Sequence, residues 1–226
     1  MTALETATPI TKSARRAALA CVYGQIVFTV GWLLAGLLQD DSYSIARHDI
    51  SDTGAVGAPH AWVLLVTQGI AGACTLAFVI VAFRPAMAGV RGRNLSSVLV
   101  AVPLGVVYLM DAFFRLDCRI ADGCTPQQTT SSWHGITHAA SGVVLLLFLL
   151  VAPHLVARCL RRTPDWAALA RPSVLLGVAI DLAAIAYIVL DGKNGAGYAQ
   201  RVLVLLASAW VALLALRVVR LSSRRV

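Results

Sequence analysis

Six long apolar runs constrain the fold of this chain more than any other feature. Each run approaches the ~20 residues that an α-helix needs to cross a ~30 Å hydrocarbon layer. With 58% hydrophobic and only 13% charged residues among 226, the composition is typical of a polytopic membrane protein and excludes a soluble domain with one core. We therefore predict an all-α fold, a bundle of six transmembrane helices forming a single domain over residues 1–226. The predicted helices lie at about Ala17–Leu38, Ala61–Phe83, Leu95–Leu116, Trp133–Ala157, Arg171–Leu190 and Ala199–Val219.

Charged residues predict the orientation of this bundle. Fourteen of the 19 Lys and Arg residues lie at the two termini and in the second and fourth loops, and seven aspartates lie in the other three loops. By the positive-inside rule, both termini are then cytoplasmic. The net charge of +8 reflects this topology and contact with anionic lipid, so it gives no evidence for nucleic-acid binding. The residues counted are Lys12, Arg15, Arg16, Arg84, Arg91, Arg93, Arg158, Arg161, Arg162, Arg171, Arg217, Arg220, Arg224 and Arg225 on one side, and Asp40, Asp41, Asp49, Asp52, Asp117, Asp122 and Asp191 on the other.

The cysteines agree with this topology. Cys118 and Cys124 lie in a short loop on the predicted outer side, where an oxidising compartment allows a disulfide. We predict that bond. A metal role for the pair is the weaker alternative, because a C-x5-C spacing matches no common zinc motif. Cys21, Cys74 and Cys159 fall in or near the bilayer and are expected to act as small apolar side chains.

Two histidines at the start of the fourth run suggest a functional site. His134 and His138 are four residues apart, so one turn of helix places both imidazoles on one face. A helix that supplies two ligands to one metal ion uses this spacing. Ionisable residues in a membrane helix indicate a functional site by default.

Asp111 in the third run is predicted to join these histidines. It lies about five residues before the predicted outer end of its helix, hence ~7 Å deep at a rise of ~1.5 Å per residue. The third and fourth runs are joined by a short loop and must be antiparallel neighbours, so the carboxylate and the two imidazoles reach the same depth. A structural Asp–His hydrogen bond, a metal site, and a proton relay or ligand contact all remain open as explanations.

The first outer loop adds further candidates. His48 and Asp49 are the loop residues that we expect to approach His134 and His138, since this loop is long enough to fold back as a lid. Ser51 and Asp52 open a Ser-Asp-Thr-Gly sequence that is typical of a capped turn or helix start. A purely structural role for that sequence competes with a catalytic one.

Two more charged residues lie within predicted helices. Asp181 falls near the middle of the bilayer, where an unpaired charge costs at least ~3 kcal/mol, so it must be protonated, paired or facing a wet cavity. Arg201 lies near the outer end of the last helix. An ion pair between Arg201 and Asp111 is the simplest account of both.

The order of these motifs resembles the DUF998 family of six-span bacterial membrane proteins, over nearly the whole chain. That resemblance implies the fold, a bacterial plasma membrane and the place of the site, but no reaction. The motifs that carry it are Tyr43-Ser44, Asp49-Ile50-Ser51-Asp52-Thr53-Gly54, Asp111, Ser132-Trp133-His134-Gly135 with His138, and Gln200-Arg201 with Trp210.

A more distant resemblance is to the CREST group of membrane hydrolases, which use Ser, Asp and His side chains around a zinc ion. It implies a catalytic role for Ser51 and zinc ligation by His134 and His138. This chain departs from that group in having six spans. The only other histidine within a span is His154, at the inner end of the fourth, so the third ligand would have to be Asp111 or His48.

These observations lead to three functional hypotheses. The first is a zinc-dependent hydrolase of a lipid or lipid-linked substrate at the outer leaflet, with Asp49 or Asp52 accepting the proton of a zinc-bound water. The second is a non-catalytic lipid-binding, transport or sensor protein whose polar network comprises Asp111, His134, Asp181 and Arg201. The third is a metal-free cyclase that protonates an isoprenoid through Asp111 or Asp181.

Overall fold

The computed structural model describes residues 11–223, and six long helices account for most of them. Each is long and apolar enough to cross a membrane, and no strand occurs among the described residues. The predicted all-α, polytopic membrane fold is confirmed. Arg224 and Arg225 of the basic tail lie outside the described residues. The helices are α1 (Lys12–Leu37), α2 (Trp62–Ala86), α3 (Arg93–Asp111), α4 (Trp133–Arg161), α5 (Ala167–Val189) and α6 (Ala196–Ser223).

Two of these helices change their winding along their length. The α-helical part Trp62–Phe78 of α2 continues as a π-helical segment, Val79–Phe83, and ends with Arg84–Ala86. In α3 the π-helical segment is Val102–Val107. Pro103 lies near its start and lacks a backbone N–H, so a regular α-helical hydrogen bond cannot form there.

The third helix ends earlier than predicted. We expected it to run to Leu116, but it ends at Asp111 because the chain beyond that residue pairs with the first loop instead of continuing the helix. Arg115 Nε donates to the Gly54 carbonyl at 2.7 Å, and the Val56 N–H donates to the Leu116 carbonyl at 2.9 Å. Asp111 therefore lies at the end of its helix and not a turn and a half below it.

The six helices form a closed ring in chain order, with α6 packed against α1. One buried apolar cluster includes residues from all six. Toward the side that carries the basic residues, large aromatic side chains fill the ring: Phe83 and Trp166 meet edge to face at 5.4 Å, and the indole of Trp210 donates to Ser173 at 3.3 Å. This half of the bundle is closed.

The opposite half is capped by two loops, and we call it the disulfide side because Cys118 and Cys124 are joined there, as predicted. Residues 38–61 form the first loop and include the 3-10 turn Ser51–Gly54. Residues 112–132 form the second loop, with the turn Ile120–Asp122 and the short helix Pro126–Thr129. The chain thus places polar loops over the half of the ring that lies opposite Phe83, Trp166 and Trp210.

Candidate functional site

A cavity of about 460 Å³ lies beneath these loops on the disulfide side. Its volume is in the range of about 300–1,000 Å³ that is usual for small-molecule sites. Its apolar lining includes Phe28, Leu145, Leu146, Leu149, Leu203 and Val204. Its polar lining includes Asp49, Ser51, Gln68, Asp111, His138, Tyr187 and Gln200. The lining is therefore apolar over most of its area and carries a small group of ionisable side chains.

Asp111 and His138 are the first pair of ionisable residues in this cavity. Asp111 is 7% exposed, and its Oδ1 lies 3.4 Å from Nδ1 of His138. The same nitrogen is 3.0 Å from the carbonyl of Phe114, so Nδ1 faces two acceptors and carries the proton. Gln68 donates to the other carboxylate oxygen at 3.4 Å. The predicted convergence of α3 and α4 is confirmed for this pair.

Ser141 completes the contacts of Asp111 but does not form a serine triad with it. Its hydroxyl contacts Asp111 Oδ1 directly and the His138 carbonyl at 2.7 Å. In a nucleophilic triad the imidazole lies between the hydroxyl and the carboxylate. Here the serine bonds the carboxylate, so Ser141 positions Asp111. Ser51, for which the hydrolase resemblance implies a catalytic role, lines the cavity, and no hydrogen bond joins it to a histidine in the described part of the chain.

Asp49 brings a second carboxylate from the first loop into the cavity. Tyr187 of α5 donates to its Oδ2 at 2.6 Å. Burial raises the pKa of Asp49, and the bond from Tyr187 opposes that shift only in part. The neighbouring Ile50 N–H donates to Oε1 of Gln200 at 2.6 Å, which fixes this loop against α6. The predicted lid over the site is thus formed by residues Asp49 to Ser51.

Arg201 does not pair with Asp111, and this prediction was wrong. Its guanidinium is held by the first loop, because Nη1 donates to the carbonyls of Ile45 at 2.9 Å and His48 at 3.0 Å. Nη2 donates to the Tyr43 hydroxyl. These carbonyls come close to α6 only because residue 197 is glycine: a Cβ there would lie 2.6 Å from the His48 carbonyl oxygen. Arg201 holds the first loop in place over the cavity.

Asp52 also holds the two loops together. It is 1% exposed and accepts the N–H groups of Ile120 at 2.6 Å and Ala121 at 3.1 Å. This contact supports the structural role that the sequence left open, although the bonds come from the second loop and not from its own turn. Nearby, Arg119 makes a two-pronged bond to Asp40 at 2.8 and 3.0 Å. The disulfide ring is therefore attached to the first loop at two points.

The expected zinc ligands do not come together. His134 is exposed and its ring packs on Trp133, with a centroid distance of 3.9 Å. His48 accepts the Ser44 N–H at Nδ1, 2.9 Å away, and its ring lies against Tyr43. Among residues 11–223, no group of three or more His, Cys, Asp or Glu side chains is arranged to hold one metal ion. The residues present do not fit a zinc site with three protein ligands.

Asp181 has a partner that the sequence analysis missed. Its Oδ2 lies 2.9 Å from Nε2 of His154 on the neighbouring helix, and both side chains are about one-third exposed, at 32% and 30%. Neither residue lines the cavity. The predicted alternatives for Asp181 included pairing, and the structure shows that its partner is His154.

Gln68 and Tyr187 are site residues that the sequence reasoning did not single out. Gln68 could have been found, because an amide within an apolar run needs a hydrogen-bond partner. Tyr187 gave no such signal, since an aromatic residue near a helix end is common at a membrane interface.

Comparison with known proteins gives one match. The family model described as "Protein of unknown function (DUF998)" matches residues 22–217, which include all the cavity-lining residues named above. No curated protein and no solved structure matches the chain. The six-helix membrane fold agrees with the expectation that the motifs raised. Because the model covers most of the chain, this protein belongs to the DUF998 family.

Proposed function

We propose that this protein binds an amphiphilic small molecule, of the size of a lipid or isoprenoid, in the cavity on its disulfide side. The observation that carries the proposal is the cavity of about 460 Å³, which combines an apolar lining with two carboxyl groups, that of the buried Asp111 and that of the half-buried Asp49. A hydrocarbon chain that leaves the bilayer needs an apolar surface in place of the lipid tails, and its head group needs hydrogen-bond partners. This lining supplies both.

Lateral entry from the membrane supports an amphiphile as the ligand. Ala139, Gly142 and Val143 of α4 line the cavity and are exposed on the surface of the bundle. A Cβ added to Gly142 would meet no atom within 4 Å. The cavity is therefore open along α4, where a chain from the bilayer can enter without passing the loops.

We propose that the disulfide side is extracytoplasmic and that the membrane is the bacterial plasma membrane. The Cys118–Cys124 bond supports this orientation, because disulfides persist in oxidising compartments. The basic residues on the opposite side support it independently. The ligand then comes from the outer leaflet.

Two catalytic hypotheses use the same cavity and stay predictions. A metal-dependent hydrolase would need a ligand beyond Asp111 and His138, and the positions of His134 and His48 give it no support. An acid-initiated cyclase would use Asp111 beside the rings of Phe28 and Tyr108, which line the cavity. Asp181 does not line it and drops out of that mechanism.

Native mass spectrometry of the purified protein tests the binding proposal. We expect wild-type protein to retain a co-purified amphiphile and Gly142→Trp, which fills the opening, to lose it. Leu147→Trp is the matched control, because it places the same ring on the same helix at a residue that is 58% exposed and outside the cavity lining. Equal retention by all three proteins would contradict the proposal.

A further inference from the structure

We propose that the head group of the ligand is a cation, such as the ammonium of a long-chain amine. This inference rests on the proposed function of the cavity and specifies its ligand. It follows from the charges, the open acceptors and the rings that line the cavity.

The two carboxyl groups of the lining are not matched by any Lys or Arg side chain that the structure describes. Asp49 and Asp111 bring carboxyl groups, and His138 is the third ionisable group beside them; tyrosines aside, no other titratable side chain lines the cavity among the described residues. No Lys or Arg side chain of residues 11–223 lines it either. A phosphate or carboxylate head group would meet two carboxyl groups there, with no described Lys or Arg side chain to offset their negative charge.

The nearest arginines are already used by the loops. Arg115 donates to the Gly54 and Ala55 carbonyls, both at 2.7 Å. Arg201 donates to backbone carbonyls of the first loop and to that of Gly197, at 2.8–3.0 Å. Arg119 pairs with Asp40 of the first loop. These contacts hold the loops together, and none of the three guanidinium groups lines the cavity.

Hydrogen-bond acceptors remain open in the lining. Tyr187 binds Oδ2 of Asp49, and no described residue donates to its Oδ1. Gln68 is only 8% exposed and donates to Asp111, while its Oε1 has no partner in the described residues. His138 holds its proton on Nδ1, so its Nε2 is an acceptor when the ring is neutral. An ammonium group brings up to three donors and no acceptor, which complements this set.

Aromatic rings in the lining favour the same ligand. Phe28, Tyr108 and Tyr187 all line the cavity. Phe28 and Tyr108 also pack together, with a centroid distance of 4.7 Å. The faces of such rings attract cations, and most strongly where water is excluded. The polar end of the cavity thus combines carboxylates with aromatic faces.

Binding of three probes with the same twelve-carbon chain tests the inference. The full chain in phosphatidylcholine nanodiscs is dialysed against dodecylamine, dodecanol or dodecyl sulfate, and binding to empty nanodiscs is subtracted. At pH 7 the amine is a cation, since an alkylamine titrates near pH ~10.4. We expect dodecylamine to bind at least about tenfold more tightly than the other two, the usual gain from a charge-assisted hydrogen bond.

Variants separate the head-group inference from the cavity proposal. Asp49→Asn should weaken dodecylamine about tenfold and leave dodecanol unchanged, which also shows that the variant is folded. Asp41→Asn, an exposed aspartate of the same loop, is the control and should change neither. If Asp49→Asn does not fold, Asp111→Asn is compared in the same way.

Two results would overturn the inference. If dodecanol or dodecyl sulfate binds saturably and as tightly as dodecylamine, the inference of a cationic head group is wrong, and the proposal that the cavity binds an amphiphile still stands. Absence of saturable binding for all three probes would remove both proposals.

Discussion

The guanidinium of Arg201 donates to the backbone carbonyl of His48 at 3.0 Å, so the last helix holds the first loop over the cavity. The same nitrogen also donates to the Ile45 carbonyl at 2.9 Å and the Gly197 carbonyl at 2.8 Å. Arg201 is only 6% exposed, and these carbonyls replace the water that its charge would otherwise bind. Arg201 and its neighbour Gln200, which accepts the Ile50 N–H, are thus the two side chains of α6 that hold the lid in position.

Arg201→Lys should destabilise the protein although it keeps the charge. A lysine ammonium is a point donor and cannot reach the carbonyls and Tyr43 together as the planar guanidinium does. We expect a loss of about 2–3 kcal/mol in the free energy of unfolding, measured by reversible denaturation in mixed micelles. Arg47→Lys, at an exposed position of the same loop, is the control. Equal effects of the two substitutions would show that the carbonyl contacts contribute nothing specific.

Removing the disulfide should loosen the first loop as well as the second. Cys118 and Cys124 are six residues apart, and closing so small a ring stabilises by about 2 kcal/mol in the chain-entropy model. The ring also carries Arg119 and Ile120, which bind Asp40 and Asp52 of the first loop. The double substitution Cys118→Ser/Cys124→Ser should therefore raise amide hydrogen exchange in residues 39–61. Unchanged exchange there would mean that the first loop is held independently of the ring.

Asp117 should make the stability of the protein depend on acid pH. It accepts the Ser132 N–H at 2.6 Å at the start of α4, and the bonds from Ser132 lower its pKa. Its contribution is full above the unfolded value of about 3.9 and is lost as pH falls through the lower folded value. The difference in Tm between wild type and Asp117→Asn should shrink as pH falls below ~4. A difference that stays constant from pH 7 to pH 3 would contradict this cause.

The six helices could be predicted because a bilayer imposes a length and a composition on each of them. The same reasoning predicted that Asp111 lies near His138, since residues close to the joined ends of two antiparallel helices lie at the same depth in the membrane. It failed for Arg201 because its partners are backbone carbonyls of a loop, whose path no periodic pattern encodes. It failed for the end of α3 for the same reason, because Arg115 binds that loop.

The spacing of His134 and His138 was also not enough to predict which of them contacts Asp111. His134 and His138 share a helix face, but the third helix ends at Asp111 and leaves His134 beside Trp133 and Phe114. Asp181 was placed correctly within a helix, but the spacing of residues along that helix did not identify His154 as its partner. The spacing of residues within one helix is encoded locally. Contacts between two helices depend on where each helix ends and how it tilts.

His154 and Asp181 should show a measurable coupling in the membrane. Their side chains are 2.9 Å apart and about one-third exposed, which limits the energy that the pair contributes. A double-mutant cycle with His154→Ala and Asp181→Ala should give a coupling of about 1 kcal/mol, as for polar pairs between membrane helices. The cycle of His154→Ala with Asp41→Ala is the control and should be additive. Additivity in both cycles would show that the contact between His154 and Asp181 contributes no coupling free energy.

Photolabelling with a twelve-carbon amine that carries a diazirine within its chain tests most directly whether an amphiphile occupies the cavity. Leu149 and Leu203 line the cavity and are 1% and 5% exposed, so the bilayer cannot label them from outside. The account predicts labels on these two residues that excess dodecylamine displaces and that Gly142→Trp abolishes. Labels confined to bilayer-facing residues such as Leu147 and Leu182, without competition, would contradict it.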